Sequence, residues 1–230
     1  MVIGGLHKNS LIDYPGKISC VVFLSGCNFH CPYCHNPGLA MGKPDQIIPE
    51  TRLFEFLEKR RSFLDGVVIT GGEPTLSPEL AGLCERIHSL GYSIKLDTNG
   101  SRPEILNALI ELSLVDYIAM DIKTEPSGYT PDLTTACGAE PILDSIDLLK
   151  KAPLPYEFRT TCVSPFINET IIRNIGRTIK GAATWALQPY EAATVLNIDF
   201  FNASDPAITR RQLNEYQLIA SAYVDNCIVR

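Results

Sequence analysis

Ile18-Ser19-Cys20-Val21-Val22-Phe23-Leu24 is a short, almost unbroken apolar run, the pattern of a strand buried on both faces. Comparable runs recur at Gly66–Thr70, Tyr92–Leu96, Val115–Met120, Tyr156–Val163 and Thr184–Leu187. Helical spacing fills the intervals. Glu50–Phe63 carries Leu53, Phe54 and Leu57 on one face, with Leu64 just beyond it. Ser77-Pro78-Glu79 reads as a cap followed by proline at the first helical position, ahead of Leu80, Leu83, Cys84 and Ile87. Ser101 to Glu104 has the spacing of a capping box, and further helices are expected over Pro141–Lys151, Asn168–Lys180 and Pro206–Tyr223. Strands that alternate with helices need crossover connections, which make a parallel sheet. A complete eight-unit barrel takes about 250 residues, and this 230-residue chain shows only six such strands. The expected fold is therefore α/β, an incomplete parallel (β/α)6 barrel in one domain over residues 1–230. A doubly wound open sheet is the rival. In both, ligands sit where loops leave the C-terminal ends of the strands.

Composition agrees with an ordinary globular chain, 45% hydrophobic and 20% charged, with 16 Gly and 16 Pro dispersed rather than clustered. The net charge of −6 and the lack of a Lys/Arg tract argue against a nucleic-acid surface. Met1 to Ser10 lacks the basic and apolar segments of a signal peptide. No apolar run reaches the roughly twenty residues of a membrane span. A cytoplasmic protein is expected, and in that reducing compartment eight cysteines read as thiols and metal ligands rather than disulfides.

Directly after the first strand comes Ser25-Gly26-Cys27-Asn28-Phe29-His30-Cys31-Pro32-Tyr33-Cys34-His35-Asn36-Pro37. Thiols at C-x3-C-x2-C on one short loop can converge on a single metal centre, and soft thiolates select an iron–sulfur cluster or zinc. A 4Fe-4S cluster held by three cysteines keeps one iron open to a further ligand. A structural Cys3His zinc site, completed by His30 or His35, is the alternative. No second cysteine pair accompanies the first, as zinc sites usually require. Cys20, Cys84 and Cys162 lie in apolar runs and read as core; Cys137 and Cys227 stand alone. His7 and His88 have no constellation around them, and Trp185 reads as core.

These residues resemble a known family. Cys27-x3-Cys31-x2-Cys34, with aromatic Tyr33 before the third cysteine, is similar to the cluster loop of radical S-adenosylmethionine enzymes. The string S-L-I-D-Y-P-G-K from Ser10 and G-C-N-F-H-C-P-Y-C-H-N from Gly26 resemble the glycyl-radical-enzyme activases, above all those of anaerobic ribonucleoside-triphosphate reductase. The likeness is dense from about Met1 to Lys123 and weaker afterwards. It implies a 4Fe-4S cluster on Cys27, Cys31 and Cys34, with Tyr33, His35 and Asn36 beside bound S-adenosylmethionine.

Gly71-Gly72-Glu73-Pro74 ends a strand, where glycines let backbone approach a ligand closely and a carboxylate can receive an ammonium group. Alone it reads equally well as a turn; the resemblance makes Gly71, Gly72 and Glu73 the binders of the methionine amino group. Asp97-Thr98-Asn99-Gly100 and Met120-Asp121-Ile122-Lys123 end the next two strands. Asp97 and Thr98 read either as a turn cap or, with Asp121, as the monovalent-cation site the resemblance implies. Lys123 pairs either with Asp121 or with the cofactor. Arg159, inside a strand, needs an anionic partner or a functional site; the resemblance puts it near the cofactor. Some activases carry a histidine where this chain has Gln188 and Glu191, so no adenine contact is assigned there.

The implied reaction is one-electron cleavage of S-adenosylmethionine to a 5′-deoxyadenosyl radical, which takes hydrogen from a glycine of a partner enzyme. A flavodoxin- or ferredoxin-like donor would supply the electron. A related radical enzyme acting on a small molecule, such as a deazapurine-forming one, and a non-enzymatic metal module are the alternatives.

Overall fold

A computed structural model describes residues 1–191, 195–201 and 205–230. The chain divides into two compact units. The first comprises Met1–Asn28, Asn36–Thr98 and Glu104–Ile118; the second comprises Phe29–His35, Asn99–Pro103 and Ala119–Arg230.

In the first unit, β1 (Ile3–Ser10) pairs antiparallel with β2 (Ser19–Leu24), which pairs parallel with β3 (Gly66–Gly71) and that with β4 (Ser93–Thr98). Helices α1 (Pro37–Ala40), α2 (Glu50–Arg60) and α3 (Leu80–Ser89) belong here, together with all but the first residue of α4 (Pro103–Glu111). The residues of β5 (Tyr117–Asp121) are divided between the units. The second unit continues with α5 (Glu140–Lys151), β6 (Tyr156–Cys162), α6 (Glu169–Thr178), β7 (Thr184–Pro189), α7 (Arg210–Ala220) and β8 (Asn226–Val229). There β6–β7 and β7–β8 pair parallel, and strand order follows chain order throughout.

All six expected strands are present as β2 to β7. The structure adds β1 and β8, giving eight rather than six among the described residues. Neither carries a long apolar run. β1 reads Ile-Gly-Gly-Leu-His-Lys-Asn-Ser and exposes its His7–Asn9 stretch, and β8 is four residues long with none of them buried. Strands at the ends of a strand order bury little, so periodicity is a poor guide to them. Helix α3 begins at Leu80, two residues beyond the expected proline start, because Ser77 Oγ bonds Glu79 Oε2 at 2.9 Å in a preceding turn. The last helix starts at Arg210 rather than Pro206, where Thr209 and Gln212 form a reciprocal capping box. The helix expected over Asn168–Lys180 is α6, and Asn168 caps it, accepting from the Ile171 amide at 2.9 Å.

Each helix buries one stripe: Leu53 and Leu57 from α2, Leu80, Leu83, Cys84 and Ile87 from α3, Ile142, Ile146 and Leu149 from α5. Trp185 is fully buried and donates from Nε1 to Thr160 Oγ1 at 2.9 Å, which satisfies its one polar atom. Cys20, Cys84 and Cys162 are buried as expected. Among the described residues no helix is long and apolar enough to cross a membrane.

The join between β3 and the turn that follows is sterically tight. Gly71 has φ +123°, and a Cβ there would strike the backbone of Leu24; one on Gly72 would strike the carbonyl of Gly26. Backbone bonds seal the approach, from Gly72 N to Leu24 O and from Glu73 N to Gly26 O, both at 2.8 Å. Gly72→Ala is expected to destabilise the protein by about 2–3 kcal/mol, since its neighbour is immobile backbone. Gly82→Ala, on an exposed turn of α3 with nothing near its Cβ, should stabilise by about 0.5–1 kcal/mol. Urea denaturation of the two variants checks both signs.

Candidate functional site

The chemistry-bearing residues of the first unit gather where β2, β3 and β4 end. Gly26, at φ +99°, turns the chain out of β2. Its amide bonds Leu39 O at 2.7 Å, and that of Cys27 bonds Ala40 O at 3.0 Å, so α1 anchors the start of the cysteine loop. Asn36 precedes α1, its carbonyl accepting from Ala40 N at 2.9 Å. The glycine pair holds Glu73 against the same backbone. Glu73 is only 2% exposed, and its Oε1 accepts from Thr75 N at 3.1 Å, Thr75 Oγ1 at 2.6 Å and Thr98 Oγ1 at 2.8 Å. These donors fix the carboxylate as an oriented acceptor. Asp97 is paired with Lys95 of the same strand, a partner that the apolar reading of Tyr92–Leu96 missed.

In the second unit, the loop Phe29–His35 is held from two sides. His30 N donates to Leu133 O at 2.8 Å and its Nε2 lies 3.1 Å from Pro131 O, while Phe29 meets Tyr129 edge-on. From the other side Asn197 N bonds Pro32 O at 3.0 Å, and His35 Nε2 lies 3.0 Å from Glu191 O with its ring stacked on Tyr190. Tyr33 packs on Phe166, which stacks on Phe200; Phe200 meets Phe201, and Phe201 meets Tyr190. This aromatic collar around Tyr33 and His35 escaped the sequence reading, because its members come from three separate loop positions with no shared spacing. Burial pushes the Cys31 thiol up to about 11, against a lowering by Lys123. A ligating thiolate therefore exchanges its proton for metal.

Asp121, at the end of β5, sits between two cations. Arg159 Nε lies 2.8 Å from Oδ1, and Lys123 Nζ lies 2.9 Å from Oδ2. Burial opposes ionisation, yet the charges of Arg159 and Lys123 hold this carboxyl well below the usual carboxylate range. The amide of Lys123 donates to Tyr129 Oη at 3.0 Å, tying this triad to the segment that grips His30. Asp121 thus takes the ion-pair alternative raised for it, with Arg159 as well as Lys123.

The family model described as the radical SAM superfamily matches residues 21–175. This chain belongs to the radical S-adenosylmethionine superfamily. A Methanocaldococcus jannaschii protein named as a glycyl-radical enzyme activating enzyme is 34% identical over all of this chain and 95% of its own. A Thermococcus kodakarensis 7-carboxy-7-deazaguanine synthase is 28% identical over 78% of this chain and 77% of its own. The pyruvate formate-lyase-activating enzyme of Clostridium pasteurianum is 33% identical over 56% of this chain and 57% of its own. Among solved structures, a radical SAM methyltransferase from Sphaerobacter thermophilus superposes with a TM-score of 0.69 at 16% identity, covering 94% of this chain and 67% of that one. That likeness shows the fold, in keeping with the partial barrel.

Membership makes this radical SAM protein an enzyme of the oxidoreductase type and implies a 4Fe-4S cluster and S-adenosylmethionine. The donor set suits such a cluster. Cys27, Cys31 and Cys34 are thiols outside any disulfide, and the hydroxyl of Tyr33, next to Cys34, is buried with no hydrogen-bond partner among the described residues. Among the described residues no three His, Cys, Asp or Glu side chains are gathered tightly enough for a single metal ion. A cluster of four irons takes its ligands at wider spacing.

Asp121→Asn should destabilise the metal-free protein by about 3 kcal/mol, because Lys123 and Arg159 would then face a neutral amide in a largely buried setting. Tyr33→Phe should leave that stability unchanged or raise it by about 1 kcal/mol, since it removes an unsatisfied hydroxyl. Denaturant unfolding of the cofactor-free variants measures both.

Proposed function

We propose that this radical SAM enzyme is a glycyl-radical-enzyme activase whose partner is an anaerobic ribonucleoside-triphosphate reductase. The observation that carries the reading is the end-to-end likeness to the M. jannaschii relative named as an activating enzyme. The family model runs through both compact units, which supports residues 1–230 as one catalytic domain.

In this reading Cys27, Cys31 and Cys34 hold the cluster. A reduced cluster held there would supply one electron to bound S-adenosylmethionine, whose C–S bond would break to give the hydrogen-abstracting group. The protein's part is to bind, orient and keep water away. Glu73, oriented by Thr75 and Thr98, suits the methionine ammonium, with Gly71 and Gly72 bringing the backbone of that turn close. Lys123 and Arg159 are the cations suited to the methionine carboxylate. Tyr33, His35 and Asn36 complete the cofactor contacts, and Phe166, Phe200, Phe201 and Tyr190 pack as a connected set of rings beside Tyr33. A flavodoxin- or ferredoxin-like protein supplies the electron. The resemblance also implies a monovalent cation at Asp97, Thr98 and Asp121, and against it stand the partners these residues already have: Lys95 for Asp97, Glu73 for Thr98, and Lys123 with Arg159 for Asp121.

The likeness to 7-carboxy-7-deazaguanine synthases favours a second reading, radical chemistry on a small molecule without a protein partner. Anaerobic reconstitution, reduction and addition of S-adenosylmethionine should yield 5′-deoxyadenosine, with at least a hundredfold less from Cys31→Ala, about 2.7 kcal/mol or more of lost transition-state stabilisation. Mixing the reduced enzyme with candidate reductases should give a glycyl radical signal in electron paramagnetic resonance. 5′-Deoxyadenosine without a glycyl radical from any reductase would move the assignment to a small substrate.

A further inference from the structure

Lys95 lies in the middle of β4, and only 1% of its side chain is exposed. Its Nζ donates to Asp97 Oδ1, two residues along the same strand, so both side chains project from one face. Asp97 is itself only 12% exposed. A lysine ammonium enters a protein interior only with a compensating carboxylate, and a buried carboxylate needs a cation in turn. The pair meets both demands within one strand and carries no net charge.

A monovalent cation at Asp97, Thr98 and Asp121 does not fit these partners. Asp97 already has the Lys95 ammonium. The hydroxyl proton of Thr98 is committed to Glu73 Oε1 at 2.8 Å. Asp121 is shared by Lys123 and Arg159. A further cation at Asp97 would stand beside the Lys95 ammonium, a like charge, with both side chains largely buried. A cation tethered two residues away also has a high effective concentration, which a dissolved ion must outcompete.

We propose that Lys95 is the built-in counter-cation of Asp97 and replaces a dissolved monovalent ion in holding that carboxylate for S-adenosylmethionine binding. Lys95 is then a positioning residue, acting through Asp97. The inference rests on the cofactor-binding reading of this site but not on the identity of the partner enzyme.

The test is S-adenosylmethionine affinity of the reconstituted protein, by equilibrium dialysis in potassium, sodium or tetramethylammonium chloride at equal ionic strength. Wild type should bind with the same Kd, within about twofold, in all three salts. Lys95→Met should bind about tenfold more weakly in tetramethylammonium, roughly 1.4 kcal/mol, and recover in potassium or sodium. Melting of cofactor-free Lys95→Met should likewise rise when an alkali ion replaces tetramethylammonium, while wild type does not respond. A wild type that loses tenfold or more in affinity in tetramethylammonium overturns the proposal. So does a folded Lys95→Met that no alkali ion rescues. Should Lys95→Met fail to fold, the wild-type salt comparison decides. Absence of binding in every salt overturns the cofactor reading, and this inference with it.

Discussion

Between Gly72 and the carbonyl of Gly26 there is no room for a Cβ, and between Gly71 and the backbone of Leu24 there is none either. Because two pieces of main chain touch there, the end of β3 and the start of the cysteine loop move as one body, sealed by the bonds from Gly72 N and Glu73 N. Glu73 inherits its position from that contact, and Thr75 and Thr98 then fix its orientation. A carboxylate held by three donors before any ligand arrives has already lost its rotational freedom, so binding an ammonium group need not order it again.

The second unit handles charge in a different way. Asp121 there lies between two cations, Lys123 just past β5 and Arg159 from β6. In the first unit Asp97 meets an ammonium from its own strand, that of Lys95. Tyr33 is buried against Phe166, which stacks on Phe200, whereas His35 stays exposed with its ring on Tyr190 and its Nε2 3.0 Å from Glu191 O. Cluster potentials respond to this same combination of burial and hydrogen bonding.

Much of this was legible before any coordinates. Predominantly apolar runs identify β2 to β7, because strands covered on both faces admit a polar residue only with a partner, as Lys95 has in Asp97. Helical spacing over Asn168–Lys180 anticipates α6, while its Asn168 cap is visible only in the structure. β1 and β8 were not legible, since strands that bury little carry no periodic signal. Gly71 and Gly72 were read as making room for a ligand; the structure shows that the chain's own backbone already requires them. Phe166, Phe200 and Phe201 look like scattered core aromatics until the loops that bear them are brought together.

The sequence alone determined the alternation of β2 to β7 with helices, the thiol chemistry at Cys27, Cys31 and Cys34, and the family, because these follow from spacing and residue type along the chain. Tertiary structure decided who partners whom. Asp121 acquires Arg159 from 38 residues away, a pairing that depends on Ile122 and Arg159 meeting on neighbouring segments. Lys95 illustrates the same division within a single strand. In a run read as apolar it looked incidental, and only its burial against Asp97 makes it a charge that the interior must keep compensated.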